Sequence, residues 1–262
     1  MLKKRLIGVI TVKQGWAVQS VGYARHLPLG RPEVLAENLD RWGVDEILLQ
    51  CIDRDQQGGG PDIALLERIC RRGLSTPLVY AGGVRTVADG IRAVQAGAER
   101  IGIDAALHDA PGLAAALAEP LGAQAVVAVL PLSVDSSALR WYDYRRRTQH
   151  PLSPALLDVL IGGAVSEVLL VDWQHEGVAG GFDMRLLDLW PLPSLPQIAF
   201  GGLSEAGQLR AVLERPAVVA AAVGNFLSHR EHAVQHYKRD LAGLPLRKAA
   251  FAGPDALCAA VA

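Results

Sequence analysis

The chain has 262 residues, half of them hydrophobic, and a formal net charge of −1. That length allows one domain of the barrel size class or two smaller ones, and the near-neutral balance gives no general pull toward nucleic acid or an anionic membrane. No stretch approaches the roughly 18 apolar residues of a membrane span, and the odd set of cysteines, Cys51, Cys70 and Cys258, with neither metal nor disulfide spacing and no secretory leader before it, points to the cytoplasm.

In chain order, Leu6–Ile10 reads as a buried strand, followed by "VKQG" and a loop from Val12 to Arg31 with Lys13 at its start; a loop of about 20 residues is usually functional, often a lid. A helix is predicted over Pro32–Trp42, a strand over Glu46–Leu49, a helix over Ile63–Arg72, a strand over Leu78–Tyr80, a helix over Val87–Ala96 and a strand over Arg100–Ile103. The next strand, Ala125–Leu130, leads to Leu139–His150, where aromatics and arginines alternate. That stretch fits a hairpin meeting a partner or an anionic ligand, and equally a solvated flap. A helix over Pro154–Leu160, strands over Glu167–Val171 and Gln197–Ala199, a helix over Glu205–Leu213 and a strand over Val218–Val223 complete the pattern. His229, His232 and His236 share a helical face by spacing, but no carboxylate or cysteine is placed to complete a metal site. No metal and no cofactor is expected.

Continuous apolar strands alternating with amphipathic helices mean parallel strands covered by helices, and eight such units fit a closed (β/α)8 TIM barrel. "STPLVYAGGVRT" from Ser75 returns as "SLPQIAFGGLSE" from Ser194, 119 residues on, and "EILLQCIDRDQQGGGPD" from Glu46 returns as "EVLLVDWQHEGVAGGFD" from Glu167, 121 residues on. Two echoes at nearly one offset indicate a two-fold half-barrel repeat: a barrel over 1–242, half-barrels about 1–122 and 123–242, and a tail over 243–262. Glycine loops at strand ends that lead into helix N-termini suit phosphate. Gly82 and Gly83 form one such seat; Gly201 and Gly202, with Gly224, Asn225 and Gly177, form the other. Two seats on opposite sides of the mouth suit a ligand with a phosphate at each end.

The features "VKQG", "GVDEILL", "AGGV", "GAERIGIDAA", "GAQAVVAV", "SEVLLVD", "GGFD" and "FGGL" together resemble the cyclase subunit of imidazole glycerol phosphate synthase, over roughly residues 3 to 242. The resemblance implies a barrel that receives ammonia from a glutaminase at its N-terminal face and uses it at the top on a bisphosphorylated substrate. It also implies two aspartates as general acid and base, and here those places hold Thr11 and Pro131. Neither exchanges a proton near neutral pH, and each general acid or base contributes about 10²–10⁴-fold. The strand-4 phosphate grip of the family becomes Asp104-Ala105, a carboxylate facing a phosphate, so an anion is expected more strongly at Gly202 and Asn225 than at Gly83 and Asp104. Asp53, Asp55, Asp172, His175 and Glu176 are acids and bases in the loops after strands 2 and 6, read as solvated loop residues.

At the bottom, Arg5, Glu46, Arg100 and Glu167 match type for type the charged ring that gates ammonia in the family, with Arg100 for a lysine. A top without its acids above an intact gate is similar to the acetamidino-modification proteins, in which a glutaminase and a cyclase-like barrel supply ammonia to a separate sugar amidotransferase in surface-polysaccharide synthesis. Two alternatives stand beside it: a genuine cyclase of histidine biosynthesis with rearranged acids, and a non-catalytic barrel that binds a phosphorylated ligand or serves as a scaffold.

Overall fold

The strand that opens the chain is also the one on which the sheet closes. The computed structural model describes residues 3–54, 58–229 and 232–246. Chain order begins with β1 (Arg5–Lys13), β2 (Trp16–Val21), β3 (Arg25–Gly30), α1 (Pro32–Trp42), β4 (Glu46–Cys51) and α2 (Ile63–Cys70). It continues with β5 (Leu78–Ala81), α3 (Val87–Gln95), β6 (Arg100–Ile103), α4 (Ala106–Asp109), α5 (Leu113–Leu121), β7 (Val126–Asp135), β8 (Ala138–Asp143) and β9 (Thr148–Pro151). The last elements are α6 (Pro154–Ile161), β10 (Glu167–Asp172), α7 (Arg185–Asp188), β11 (Gln197–Phe200), α8 (Ala206–Leu213), β12 (Val218–Val223) and α9 (Ala233–Asp240). Parallel pairing runs β1-β4-β5-β6-β7-β10-β11-β12, and β12 returns to β1 with Arg5 opposite Ala220 and Gly8 opposite Val223. The protein is therefore a closed (β/α)8 barrel.

Strand alternation divides the core in two. Ile7, Val9, Leu48, Val79, Ala81, Val127, Val129, Leu169, Val171, Ile198, Phe200, Ala220 and Ala222 fill the barrel axis. The residues between them, such as Leu6, Ile10, Leu49, Leu130 and Leu170, pack outward under the helices. Both strand faces are buried, which is why the sequence shows unbroken apolar runs. Local signals set the helix ends: Pro32 opens α1 and Gly43, at φ 82°, closes it; Asp62 caps α2; Thr86 and Asp89 form a reciprocal capping box on α3; Ser153 caps α6. Lys238 of α9 reaches Asp45 at 2.8 Å, and Asp45 accepts from the Leu6 N–H at 2.8 Å, tying the last helix to the first strand.

The Val12–Arg31 segment is not a loop. β1 runs on to Lys13, turns over Gln14-Gly15, and pairs antiparallel with β2, which pairs with β3. The second half repeats the device: β7 runs to Asp135 and pairs with β8, and β8 with β9, so Leu139–His150 is a hairpin. The pairing register carries the repeat as well. Ile7 lies opposite Glu46 in the first half, and Val127 opposite Glu167 in the second. Gly82 (φ 143°) faces the carbonyl of Cys51, and Gly201 (φ 106°) faces that of Asp172. Any Cβ there would sit under 2.5 Å from that oxygen, so glycine is required by a backbone approach in both halves.

The histidine spacing does not produce a shared face: His232 has a left-handed backbone at φ 56° and precedes α9, so His229 lies off the helix that carries His236. No group of three or more His, Cys, Asp or Glu that could hold a metal occurs among the described residues, and no described helix is long and apolar enough to cross a membrane. Leu246 of the tail bridges to Lys4; Asp55, Cys258 and the tail from 247 onward lie outside the described residues.

Gly201→Ala is expected to lower stability by about 1–3 kcal/mol, because a strained backbone angle and a carbonyl clash coincide. Gly207→Ala, in α8 with nothing within 4 Å of the new Cβ, is expected to leave stability unchanged or raise it by up to about 1 kcal/mol. Denaturant unfolding of the two variants against the parent checks both.

Candidate functional site

The lower mouth is built from strand starts. Arg5, Glu46, Arg100 and Glu167 begin β1, β4, β6 and β10, and side chains at these positions converge on the axis. The four form one network: Arg5 Nη2 to Glu167 Oε2 at 2.6 Å, Arg100 Nη1 to the same oxygen at 2.8 Å, and Arg100 Nη1 to Glu46 Oε1 at 3.2 Å. Arg100 is held further by the Gln124 carbonyl at 3.1 Å and Ser166 Oγ at 2.9 Å. Burial works against an ionised Glu167, but the two arginines outweigh it and hold its carboxyl below the usual range. The remaining contact is looser. Arg5 Nε and Glu46 Oε2 stand 3.6 Å apart, and both are buried without a hydrogen bond among the described residues.

The upper mouth opens into a cavity of about 550 Å³. Its walls come from β1 and the first hairpin (Lys13, Tyr23, His26), from β4 (Gln50, Cys51), from the Gly82-Gly83 turn, from Asp104, from Pro131, and from Tyr142, Tyr144, Arg147 and Trp173. Pro131 lies opposite Val171 in the β7–β10 ladder and lines this cavity. Thr11 is buried and lines a separate cavity of about 290 Å³ beside α1, with Asn38, Asn225 and Ser228.

Neither glycine seat is bare. The Asn225 amide pairs with the Ser20 backbone, Nδ2 donating to the Ser20 carbonyl at 2.5 Å and Oδ1 accepting from the Ser20 N–H at 3.2 Å. A Cβ on Gly177 would meet that same Ser20 carbonyl, and Gly202 lies against backbone atoms of His175, Val178 and Phe182. The first hairpin therefore lies directly on Gly177 and engages the Asn225 side chain, which also borders the smaller cavity, while the larger open space lies over Gly82, Gly83 and Asp104. There, Asp104 turns its carboxylate onto the chain, Oδ1 to the Ala105 N–H at 2.5 Å and Oδ2 to the Tyr144 hydroxyl at 3.0 Å.

The acids after strands 2 and 6 serve the loops. Asp53 accepts from the Gln14 N–H at 2.8 Å and bears on the first turn. Asp172 is buried and bound by His175 Nδ1 at 2.8 Å and the Asp183 N–H at 2.8 Å; burial raises its pKa against those bonds. Neither lines the upper cavity. Glu176 is not solvated: it is 2% exposed, and it accepts from Ser20 Oγ at 3.0 Å and the Tyr23 N–H at 3.2 Å, while its carbonyl takes the Gly22 N–H at 2.8 Å. It clamps the first hairpin to the loop after β10. The polar and aromatic cavity residues the sequence did not single out are Tyr23, His26, Gln50 and Trp173, whereas Tyr142, Tyr144 and Arg147 come from the Leu139–His150 stretch. Tyr142 and Trp173 stack at 3.8 Å and 9°. Trp173 had a legible signal, since it continues the inward series Glu167, Leu169, Val171.

Burial raises the Cys51 thiol to about 12 and holds the Tyr23 phenol well above its ordinary value. Burial, helped by Lys13, lowers the His26 imidazole. Lys13 Nζ lies 3.1 Å from His26 Nδ1.

A model of the family described as histidine biosynthesis protein matches residues 5–233. The chain is 27% identical over 253 residues to imidazole glycerol phosphate synthase subunit HisF of Streptococcus gordonii, covering 94% of this chain and 100% of that one. It is 32% identical over 229 residues to the HisF subunit of Myxococcus xanthus, covering 87% and 90%. A protein of Vibrio vulnificus called hisF2 is 28% identical over 235 residues, covering 88% and 86%.

Burial raises the Glu176 pKa despite its hydrogen bonds. The native state thus holds this proton more tightly than the unfolded chain, so its stabilising contribution is present below the ordinary carboxylate value and is lost as pH rises through the raised one. Hydrogen exchange over residues 20–24, corrected for intrinsic rates, is expected to be more protected at pH 5 than at pH 7.5. That difference is expected to vanish in Glu176→Gln.

Proposed function

The chain belongs to the histidine-biosynthesis protein family, and from that premise we propose that it is a cyclase-like barrel that conducts ammonia rather than consuming it. A glutaminase docks at the N-terminal face, over Arg5, Glu46, Arg100 and Glu167. Ammonia passes along the barrel axis and leaves to a separate sugar amidotransferase, which converts an N-acetyl group to an acetamidino group in surface-polysaccharide synthesis in the cytoplasm.

The observation that carries this reading is the contrast between the mouths. Below, two cations and two anions are paired within the barrel. The axis above them is lined by aliphatic side chains and Phe200, which favours neutral ammonia over ammonium, whose charge would have to be stripped of water. Above, Thr11 and Pro131 stand where the resemblance puts two acids, and neither can relay a proton. The loose Arg5 Nε–Glu46 Oε2 contact is the natural opening, because Arg5 can swing while Arg100 stays anchored on Gln124 and Ser166.

The second reading is a genuine cyclase, favoured by the names of the relatives and by the roomy upper cavity. It would need an acid–base group in that cavity, and His26, with its lowered pKa, is better placed than Asp53, Asp172 or Glu176. The third, a scaffold binding a phosphorylated ligand, needs no nitrogen flow.

In the reconstituted complex, Arg100→Ala is expected to leave glutamine hydrolysis running while the nitrogen transferred per glutamine consumed falls several-fold. An unchanged ratio with a lower melting temperature would reduce the ring to a stabilising device. With free ammonia and the bisphosphorylated substrate, cyclase turnover is expected at least about 10²-fold below that of a family member with both acids. Turnover near that member's rate, abolished by His26→Ala, would establish the second reading.

A further inference from the structure

The upper cavity has more hydrogen-bond donors than acceptors. Each oxygen of Asp104 accepts one hydrogen bond, from the Ala105 N–H and the Tyr144 hydroxyl, and its negative charge is opposed on the same walls by Lys13 and Arg147. Gln50 Oε1 accepts from the Tyr23 hydroxyl at 3.1 Å. On the donor side, Trp173 Nε1 is buried with no partner among the described residues, and so is His26 Nε2. Lys13 can only donate, so His26 Nδ1 accepts from it and the imidazole proton resides on Nε2. Lys13 and Arg147 bring two positive charges to the same walls. Buried donors without acceptors are costly, and these two line a space of the size that holds a small ligand. Stacking on Tyr142 fixes the indole of Trp173, so its N–H is presented without loss of side-chain freedom on binding.

The same mouth refuses a two-ended ligand. Ser20 of the first hairpin occupies the Asn225 amide and lies against Gly177, where a second phosphate would sit. We propose that the upper cavity binds one compact molecule carrying a single anionic, oxygen-rich group, a sugar monophosphate or a sugar acid, with its oxygens on Trp173 Nε1, His26 Nε2 and the Lys13 ammonium. This site goes beyond the conduit reading and stands apart from it, since it concerns the isolated barrel and needs no glutaminase.

Calorimetric titration of the purified chain with ribose 5-phosphate, gluconate, inorganic phosphate and ribulose 1,5-bisphosphate tests it. Saturable, single-site binding of ribose 5-phosphate or gluconate is expected, and which of the two binds tells phosphate from carboxylate recognition. The bisphosphate is expected to bind no tighter than the monophosphate. Trp173→Phe, which keeps the ring stack and removes the donor, is expected to weaken binding roughly tenfold, and His26→Phe by a similar factor. If His26→Phe fails to fold, Lys13→Gln reads the same wall. The proposal is overturned by absence of saturable binding to all four probes at millimolar concentration, by a bisphosphate bound at least tenfold tighter than the monophosphate, or by unchanged affinity in a folded Trp173→Phe.

Discussion

A strand in a closed barrel can send its side chains in only two directions, to the axis or to the helices, and the order of residues along it becomes an order of environments along the axis. β1 carries inward Arg5, Ile7 and Val9 and reaches the upper cavity with Lys13; β10 carries Glu167, Leu169 and Val171, with Trp173 next in the series. Read from bottom to top, each passes from charge through hydrocarbon to a polar or aromatic rim. The two mouths are thus different places chemically although the same strands build them. The charged quartet sits where the barrel must be plugged, and the aromatic cavity sits where strand ends splay into turns. The β12–β1 pairing that closes the cylinder keeps this parity in register all the way round.

The hairpins turn that cylinder into an asymmetric vessel. Both extend the first strand of their half beyond the rim, yet they bear on opposite territory. The first lies on residues of the second half, through Ser20, Gly22 and Tyr23 to Glu176 and Asn225. The second bears on the first half, through Tyr144 to Asp104 and Arg145 to Asp109. Its own turn is stiffened by Asp143: burial would raise that carboxyl, but hydrogen bonds from Arg145 and Arg146 hold it at about 2. The alternating aromatics and arginines of this stretch divide accordingly, with Tyr142 facing the upper cavity, Trp141 buried on the helix side and stacked on His108 at 3.4 Å, and Arg145 and Arg146 spent on the turn.

Most of the barrel was legible because strands buried on both faces write continuous Val, Ile and Leu runs, and because two glycine turns recur at one spacing. Strand ends ran longer than the apolar runs: β7 passes through Pro131 and Ser133 to Asp135, where the sequence turns polar but the hairpin partner supplies the ladder. The first hairpin was hidden by its turns, and the second was one of two readings the sequence allowed. Hairpin turns are most clearly announced by Asn-Gly or Asp-Gly, whereas here Gln14, Tyr23, Ser136 and Arg147 adopt left-handed backbone angles between 51° and 56°, which those residue types do not advertise. Missing the first hairpin hid what lies beneath it. Asn225, Gly177 and Glu176 were visible as residues, but their use by Ser20 depends on a segment some 150–200 residues away in sequence. The charged quartet was legible because each member opens a strand.

The quartet is not itself duplicated, and that limits how the barrel can be taken apart. By pairing register Glu46 corresponds to Glu167, but the counterparts of Arg5 and Arg100 are uncharged: Val127 occupies the place of Ile7, two residues above Arg5, which sets Ala125 against Arg5, and Ala220 stands on β12 where Arg100 stands on β6. A barrel assembled from two copies of the first half would bring every guanidinium twice and leave arginines facing arginines around the plug. Two copies of the second half would leave a pair of glutamates with no cation between them. Neither half can therefore be recombined with itself without new substitutions at the lower rim, and a chimeric barrel that borrows one half from a relative must borrow the matching side of this charge balance with it.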